Sequence, residues 1–171
     1  MRTNILLLAT LLLGSWAVPA ADSAPDSNNG PAAAFSRLKM LVGEWEAESE
    51  GRKVHLSYEL IAGGTALVER DTGERMAPML TVYHIDGQRL MLTHYCMAGN
   101  QPRMVAGPLD AKTGEIEFRF LDATNLASPN AGHMHHARMR VIDNDHLESE
   151  WNYYEDGKLK MTEKALYTRV K

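Results

Sequence analysis

Two polar segments hold most of the side chains in this sequence that can do chemistry. The first reads His94-Tyr95-Cys96 and then Gly99-Asn100-Gln101-Pro102-Arg103. An imidazole, two amides and a guanidinium at a strand end and tight turn can grip a carboxylate, a phosphate or a polar head group. Arginine offers a planar fork of donors and the amides orient what it holds. The competing reading is a plain turn, with Asn100 and Gln101 satisfying their own backbone and Arg103 in a surface ion pair.

The second segment reads Asp122-Ala123-Thr124-Asn125, then Ser128-Pro129-Asn130 and Gly132-His133-Met134-His135-His136. Ile116, Phe118 and Phe120 alternate, and Asp122 continues their parity. If that face looks into an apolar interior, Asp122 is a carboxylate just inside a mouth. Such a group is costly unless it meets a cation or strong donors. Arg103 and the His133/His135 pair are the partners the sequence offers. On a strand, His133 and His135 share a face, so they could chelate one ion with His94 or Asp122. No recognised zinc spacing is present, however. His136 falls on the opposite face. Trp151 alternates with Leu147, Ser149 and Tyr153, so it would give an interior an aromatic wall, the kind of lining that suits lipids, aromatic metabolites or haem. The sequence assigns no metal and no cofactor. It contains no nucleophile elbow, phosphate-binding glycine loop or dinucleotide fingerprint.

The elements that must position these groups are strands. Alternating segments are expected near 44–50, 53–61, 65–71, 78–85, 88–96, 102–107, 115–123, 134–142, 146–155 and 158–169, separated by turn pairs such as Glu50-Gly51, Asp86-Gly87, Asp143-Asn144 and Asp156-Gly157. Asp-Gly between β-rich runs tolerates positive φ and matches strand twist. A two-residue turn at Asp86-Gly87 would set Met79 opposite His94 and leave His84 on the other face. The connections are too short for parallel crossovers. About ten antiparallel strands in one small domain predict an up-and-down barrel, because closure removes both sheet edges. A two-sheet sandwich is the alternative. Before the strands, Pro31 opens a short helix whose Phe35, Leu38, Leu41 and Val42 recur at helical spacing and would cap one barrel mouth.

Gly43-Glu44-Trp45, directly after that helix, resembles the Gly-x-Trp signature of lipocalins and related calycins, in which the Trp packs across the closed end of the barrel. The stretches LTHYCMAGNQPRM (Leu92 to Met104) and LDATNLASPNAGHMHH (Leu121 to His136) resemble an uncharacterised family of exported bacterial lipocalin-like proteins. The resemblance runs from about Leu38 to Lys171. It implies the barrel fold and brings no activity with it.

The chain opens with Met-Arg-Thr-Asn, an apolar run from Ile5 to Leu13, and the small residues Ala17-Val18-Pro19-Ala20-Ala21. This is the pattern of a secretory signal peptide cleaved after Ala20, too short for a stable membrane span. Residues 21–30 read as a flexible linker and 31–171 as the barrel domain. Location is therefore expected to be periplasmic or secreted. Removing the leader takes away Arg2, leaving 17 basic against 22 acidic residues and a net charge of −5. That balance disfavours nucleic acid as a partner. Cys96 is the only cysteine, so no intrachain disulfide can form; burial in a strand is its expected place.

Two functions follow. One is an exported protein, monomer or homodimer, that holds a small, partly apolar molecule in the barrel, with His94, Asn100, Gln101, Arg103, Asp122, Asn125, His133, His135 and Trp151 around its polar end. Haem is a variant of that guest. The other is an envelope enzyme, a hydrolase or isomerase with or without a metal, using histidine and Asp122 as acid–base partners.

Overall fold

Turn chemistry sets where the strands stop. In the computed structural model, which describes residues 28–171 apart from 50 and 75, Asp156 and Gly157 both take positive φ (53° and 67°). That is the geometry of a tight hairpin turn whose twist matches the strands it joins. The elements are α1 (Pro31–Lys39), β1 (Gly43–Ser49), β2 (Arg52–Ile61), β3 (Ala66–Gly73), β4 (Met76–Asp86), β5 (Arg89–Tyr95), β6 (Gln101–Ala106), β7 (Glu115–Thr124), β8 (His133–Val141), β9 (His146–Glu155) and β10 (Lys158–Arg169). Each strand pairs antiparallel with its sequence neighbours, and β10 returns to β1, closing a ten-stranded up-and-down barrel. The expected leader and most of the expected linker lie outside the described residues. Among the described residues, no helix is long and apolar enough to cross a membrane.

The helix fills one end. Ala34, Phe35, Leu38 and Leu41 are buried in the same apolar cluster as Trp45, Leu90, Ile116, Phe118, Val141 and Leu147. Val42, expected on that stripe, is 41% exposed, because the helix ends at Lys39 and a turn carries Val42 outward. Trp45 Nε1 donates to the Leu41 carbonyl at 2.7 Å. The Arg169 guanidinium lies 4.2 Å from the Trp45 ring centroid and donates to the carbonyls of Met40, Val42 and Asn144. Gly43 holds φ 125°, and a Cβ there would sit 2.8 Å from an Arg169 nitrogen. The Gly-x-Trp segment is thus the floor of the barrel, and the glycine makes room for the arginine that staples it.

The opposite end is less regular. All four register shifts in the barrel lie there: between Asp71 and Gly73, Arg103 and Met104, Met134 and His136, and Leu159 and Met161. Bulges concentrate at barrel rims because an extra residue bends the strand and re-aims side chains. Closure itself is uneven. β1 meets β10 only through Trp45↔Arg169 and Glu46↔Thr168, whereas β9 and β10 pair along nearly their whole lengths.

Candidate functional site

Antiparallel order puts the connections after β1, β3, β5, β7 and β9 at the open end, away from α1. Just inside that end lies a cavity lined by Leu56, Glu69, Asp71, Met79, His94, Met134, Ser149, Trp151, Glu163, Ala165 and Tyr167. It spans about 400 Å³ counting its opening to solvent. It is narrow, with room for roughly one water at a time. The room inside the barrel expected for a small guest is therefore largely filled by side chains. A larger guest requires Met79, Met134 and Trp151 to turn aside, and unbranched methionines do so readily.

Strand register explains why polar groups meet in this cavity. Tyr58 pairs with Glu69, Leu56 with Asp71, Glu69 with Thr81 and Thr81 with His94. Thr81, rather than the expected Met79, stands opposite His94, because Asp86 and Arg89 close the hairpin and Gly87-Gln88 form its tip. Glu69 is 4% exposed and accepts a hydrogen bond from the Tyr83 hydroxyl at 2.7 Å. Burial raises its carboxyl above the ordinary range, and the hydroxyls of Tyr83, Tyr58 and Thr81 work against that rise. Tyr58 points toward the same carboxyl without closing a hydrogen bond of its own. Asp71, one turn of the pleat nearer the mouth, is pushed up to about 8 by burial first and then by the Glu69 and Glu163 carboxylates. One of its oxygens has no partner.

His94 is 4% exposed. Its Nδ1 lies 2.9 Å from the Thr81 hydroxyl, and its ring sits 4.8 Å from that of Trp151. Nε2 is buried and unpartnered. Burial pushes the imidazole down to about 4, so it is neutral at physiological pH. His94 and Trp151, both singled out in the sequence, therefore line one cavity.

The rim residues are placed differently. Asp122 does not point inward. Arg103 pairs with Asp122 but Met104 pairs with Phe120, so one step on β6 spans two on β7. That bulge at Leu121 reverses the parity running through Ile116 and Phe118. Asp122 consequently lies on the outer wall, 46% exposed, in a two-point ion pair with Arg103 (2.6 and 2.5 Å). Asn100, Gln101 and Asn125 tie neighbouring loops together. Asn100 Nδ2 donates to Gly132 O at 2.8 Å, Asn125 Nδ2 to Gly99 O at 2.5 Å, and the Thr124 hydroxyl to Gln101 Oε1 at 2.7 Å. Cys96, expected inside a strand, sits just beyond β5, half-buried against the core.

His133 and His135 lie 5.5 Å apart, ring to ring, in a ladder with Phe120 and Tyr154. His133 Nδ1 is 2.8 Å from the Ala131 carbonyl. Burial, then His133 and His136, lowers the His135 imidazole. Among the described residues, no three of His, Cys, Asp or Glu are grouped to hold a metal ion, so the chelate weighed for this pair is not assembled.

At the open end, a second groove is lined by Glu48, Ser49 and Arg52, by Met76 and Met97, and by Met161, Thr162, Glu163 and Lys164. Glu163 also lines the interior cavity. The groove and the cavity therefore share a wall.

Solved structures share this architecture. Rv2717c from M. tuberculosis superposes with a TM-score of 0.57 at 17% identity, covering 81% of this chain and 98% of that one. A protein of unknown function of the DUF3598 family from Nostoc punctiforme superposes with a TM-score of 0.54 at 15% identity, covering 78% of this chain. This chain spans about half the length of the latter, 49%. The likeness is one of fold. No family profile matches the chain, and no curated protein matches it.

Glu69 and Asp71 were not singled out from the sequence. Their signal was the alternation Leu67, Glu69, Asp71, but Val68 is apolar too and is itself only 5% exposed. With both parities apolar at that point, the strand's phase is hidden.

Proposed function

We propose that this protein binds a small, partly apolar molecule in the open half of its barrel. The observation that carries the reading is a pair of buried, unpartnered polar atoms, His94 Nε2 and Asp71 Oδ1, on residues that line one cavity. Buried polar atoms almost always have a partner, and one left without calls for a guest, an ion or a water. Trp151, Met79 and Met134 supply the apolar contact, and their rearrangement sets how large a guest enters. Asn100, Gln101 and Asn125 hold the rim loops, Arg103 and Asp122 form an ion pair on the outer wall, and His133 and His135 stack with Phe120. The leader read from the sequence supports action outside the cytoplasm, in the periplasm or the medium.

The test is native mass spectrometry of the protein purified from the cells that make it, paired with titration of the neutral fluorophore N-phenyl-1-naphthylamine. A bound small molecule, or saturable fluorescence weakened by Trp151→Ala, is expected. Protein that carries nothing and leaves the fluorophore dark would end the binding reading.

A further inference from the structure

The lining of the cavity has a sign. Glu69, Asp71 and Glu163 contribute carboxyls, Ser149 a hydroxyl and His94 an imidazole, and no lysine or arginine is among the lining residues. The unpartnered His94 Nε2 is independent of the acids and comes from another strand. When Glu69 is ionised, Thr81 directs its one proton toward that carboxylate. The Thr81 oxygen then accepts from His94 Nδ1–H, which leaves Nε2 as a bare lone pair. An anion would meet repulsion here. A neutral hydroxyl would satisfy one acceptor and offer no counter-charge to the carboxylate that Asp71 can form. A cation bearing N–H donors satisfies both needs, and the Trp151 ring offers a face that attracts positive charge.

Resting on the binding reading above, we propose that the guest is a small organic ammonium, its charge held by Glu69 and Asp71, one N–H donated to His94 Nε2, and its hydrocarbon part against Trp151 and Met79. Binding carries a proton balance. Asp71 is protonated in the empty site near neutral pH, so a guest that arrives charged expels that proton to solvent. The titratable groups facing the site are Tyr58 from β2, Glu69 and Asp71 from β3, Tyr83 from β4, His94 from β5, and Glu163 and Tyr167 from β10. The tyrosines are all held above their ordinary range by burial, so none of them releases a proton between pH 6 and 8. His94 is already neutral there.

The experiment is calorimetric titration of the full mature protein with benzylammonium, benzyl alcohol and benzoate, in buffers of different ionisation enthalpy, between pH 6 and 8. Benzylammonium is expected to bind with release of close to one proton. Its affinity should rise as pH rises, by up to about tenfold per unit below the Asp71 midpoint. Asp71→Asn should abolish the proton release and cost at least about tenfold in affinity, while His94→Gln weakens binding without changing the proton count. Benzyl alcohol binding as tightly as benzylammonium, or benzylammonium binding with no proton release and no pH dependence, would overturn the cation assignment while leaving the binding reading intact. Failure of all three compounds together with the naphthylamine fluorophore would remove both. The wild-type pH series needs no variant, so poor folding of a substituted protein does not block the test.

Discussion

Asp122 and Asp71 belong to the same end of the barrel, on opposite sides of its wall, and their carboxyls behave in opposite ways. Outside, the Arg103 guanidinium bonds to Asp122 and holds its carboxyl below the usual range. Water reaches both partners. Inside, Asp71 has no cation, has acids for neighbours and is pushed up to about 8. The exposed pair looks the more like a recognition site, since it shows a charge and a fork of donors. It is nevertheless satisfied, and screening leaves it little energy to offer. Inside, Asp71 keeps an oxygen without a partner, and a guest can change its state. A site is better recognised by unmet need than by visible charge.

The contrast predicts an ordered set of effects. The largest belongs to Asp71. Its raised folded pKa means the folded protein binds more protons than the unfolded chain between about pH 4 and 8, so stability falls as pH rises through that window. Asp71→Asn should flatten the fall and stabilise the protein at pH 8 by on the order of a few kcal/mol, read from urea unfolding. Curves for variant and wild type that run parallel from pH 5 to 8 would contradict the account of the interior.

His94 comes next, with the opposite sign. Its lowered pKa means that the unfolded chain takes up a proton first as pH falls below 6.5. Stability should then drop between pH 6.5 and 4, by up to about 3 kcal/mol. In the wild type the Asp71 slope opposes this, so the effect is clearest in the Asp71→Asn background and should vanish when His94→Gln is added. Tyr83→Phe removes the donor to Glu69 and should cost about 1–3 kcal/mol at pH 7; a thermal midpoint equal to wild type would show that Glu69 finds its partner elsewhere. The smallest effect is at the outer wall. Asp122→Asn should barely shift the melting temperature, and what shift there is should shrink in high salt. A large loss there would reverse the comparison.

Strand boundaries could be read from the sequence because they rest on local chemistry. Glycine and aspartate mark the turns, and each predicted strand overlaps the observed one, as in 78–85 for Met76–Asp86 and 146–155 for His146–Glu155. Side-chain direction could be read only where alternation ran unbroken. Leu147, Ser149 and Trp151 all line the core or cavity as their parity implied. Asp122 did not follow Phe118, because a single extra residue at Leu121 intervened. Nothing local announces such a bulge; it is set by the register that two strands adopt together. The acidic pair on β3 was hidden by the same dependence on partners, since only β2 and β4 decide which face of Leu67-Val68-Glu69 turns inward.

The short junction of β1 with β10 makes this cylinder a split ring. That junction pairs two positions, where even β5 and β6 pair three, and beyond Glu46 and Thr168 it has no cross-strand ladder left to break. The circumference can therefore widen along one line while the other walls stay intact. Between Ala47 and Ser49, amides that face β10 should accordingly exchange faster than those that face β2.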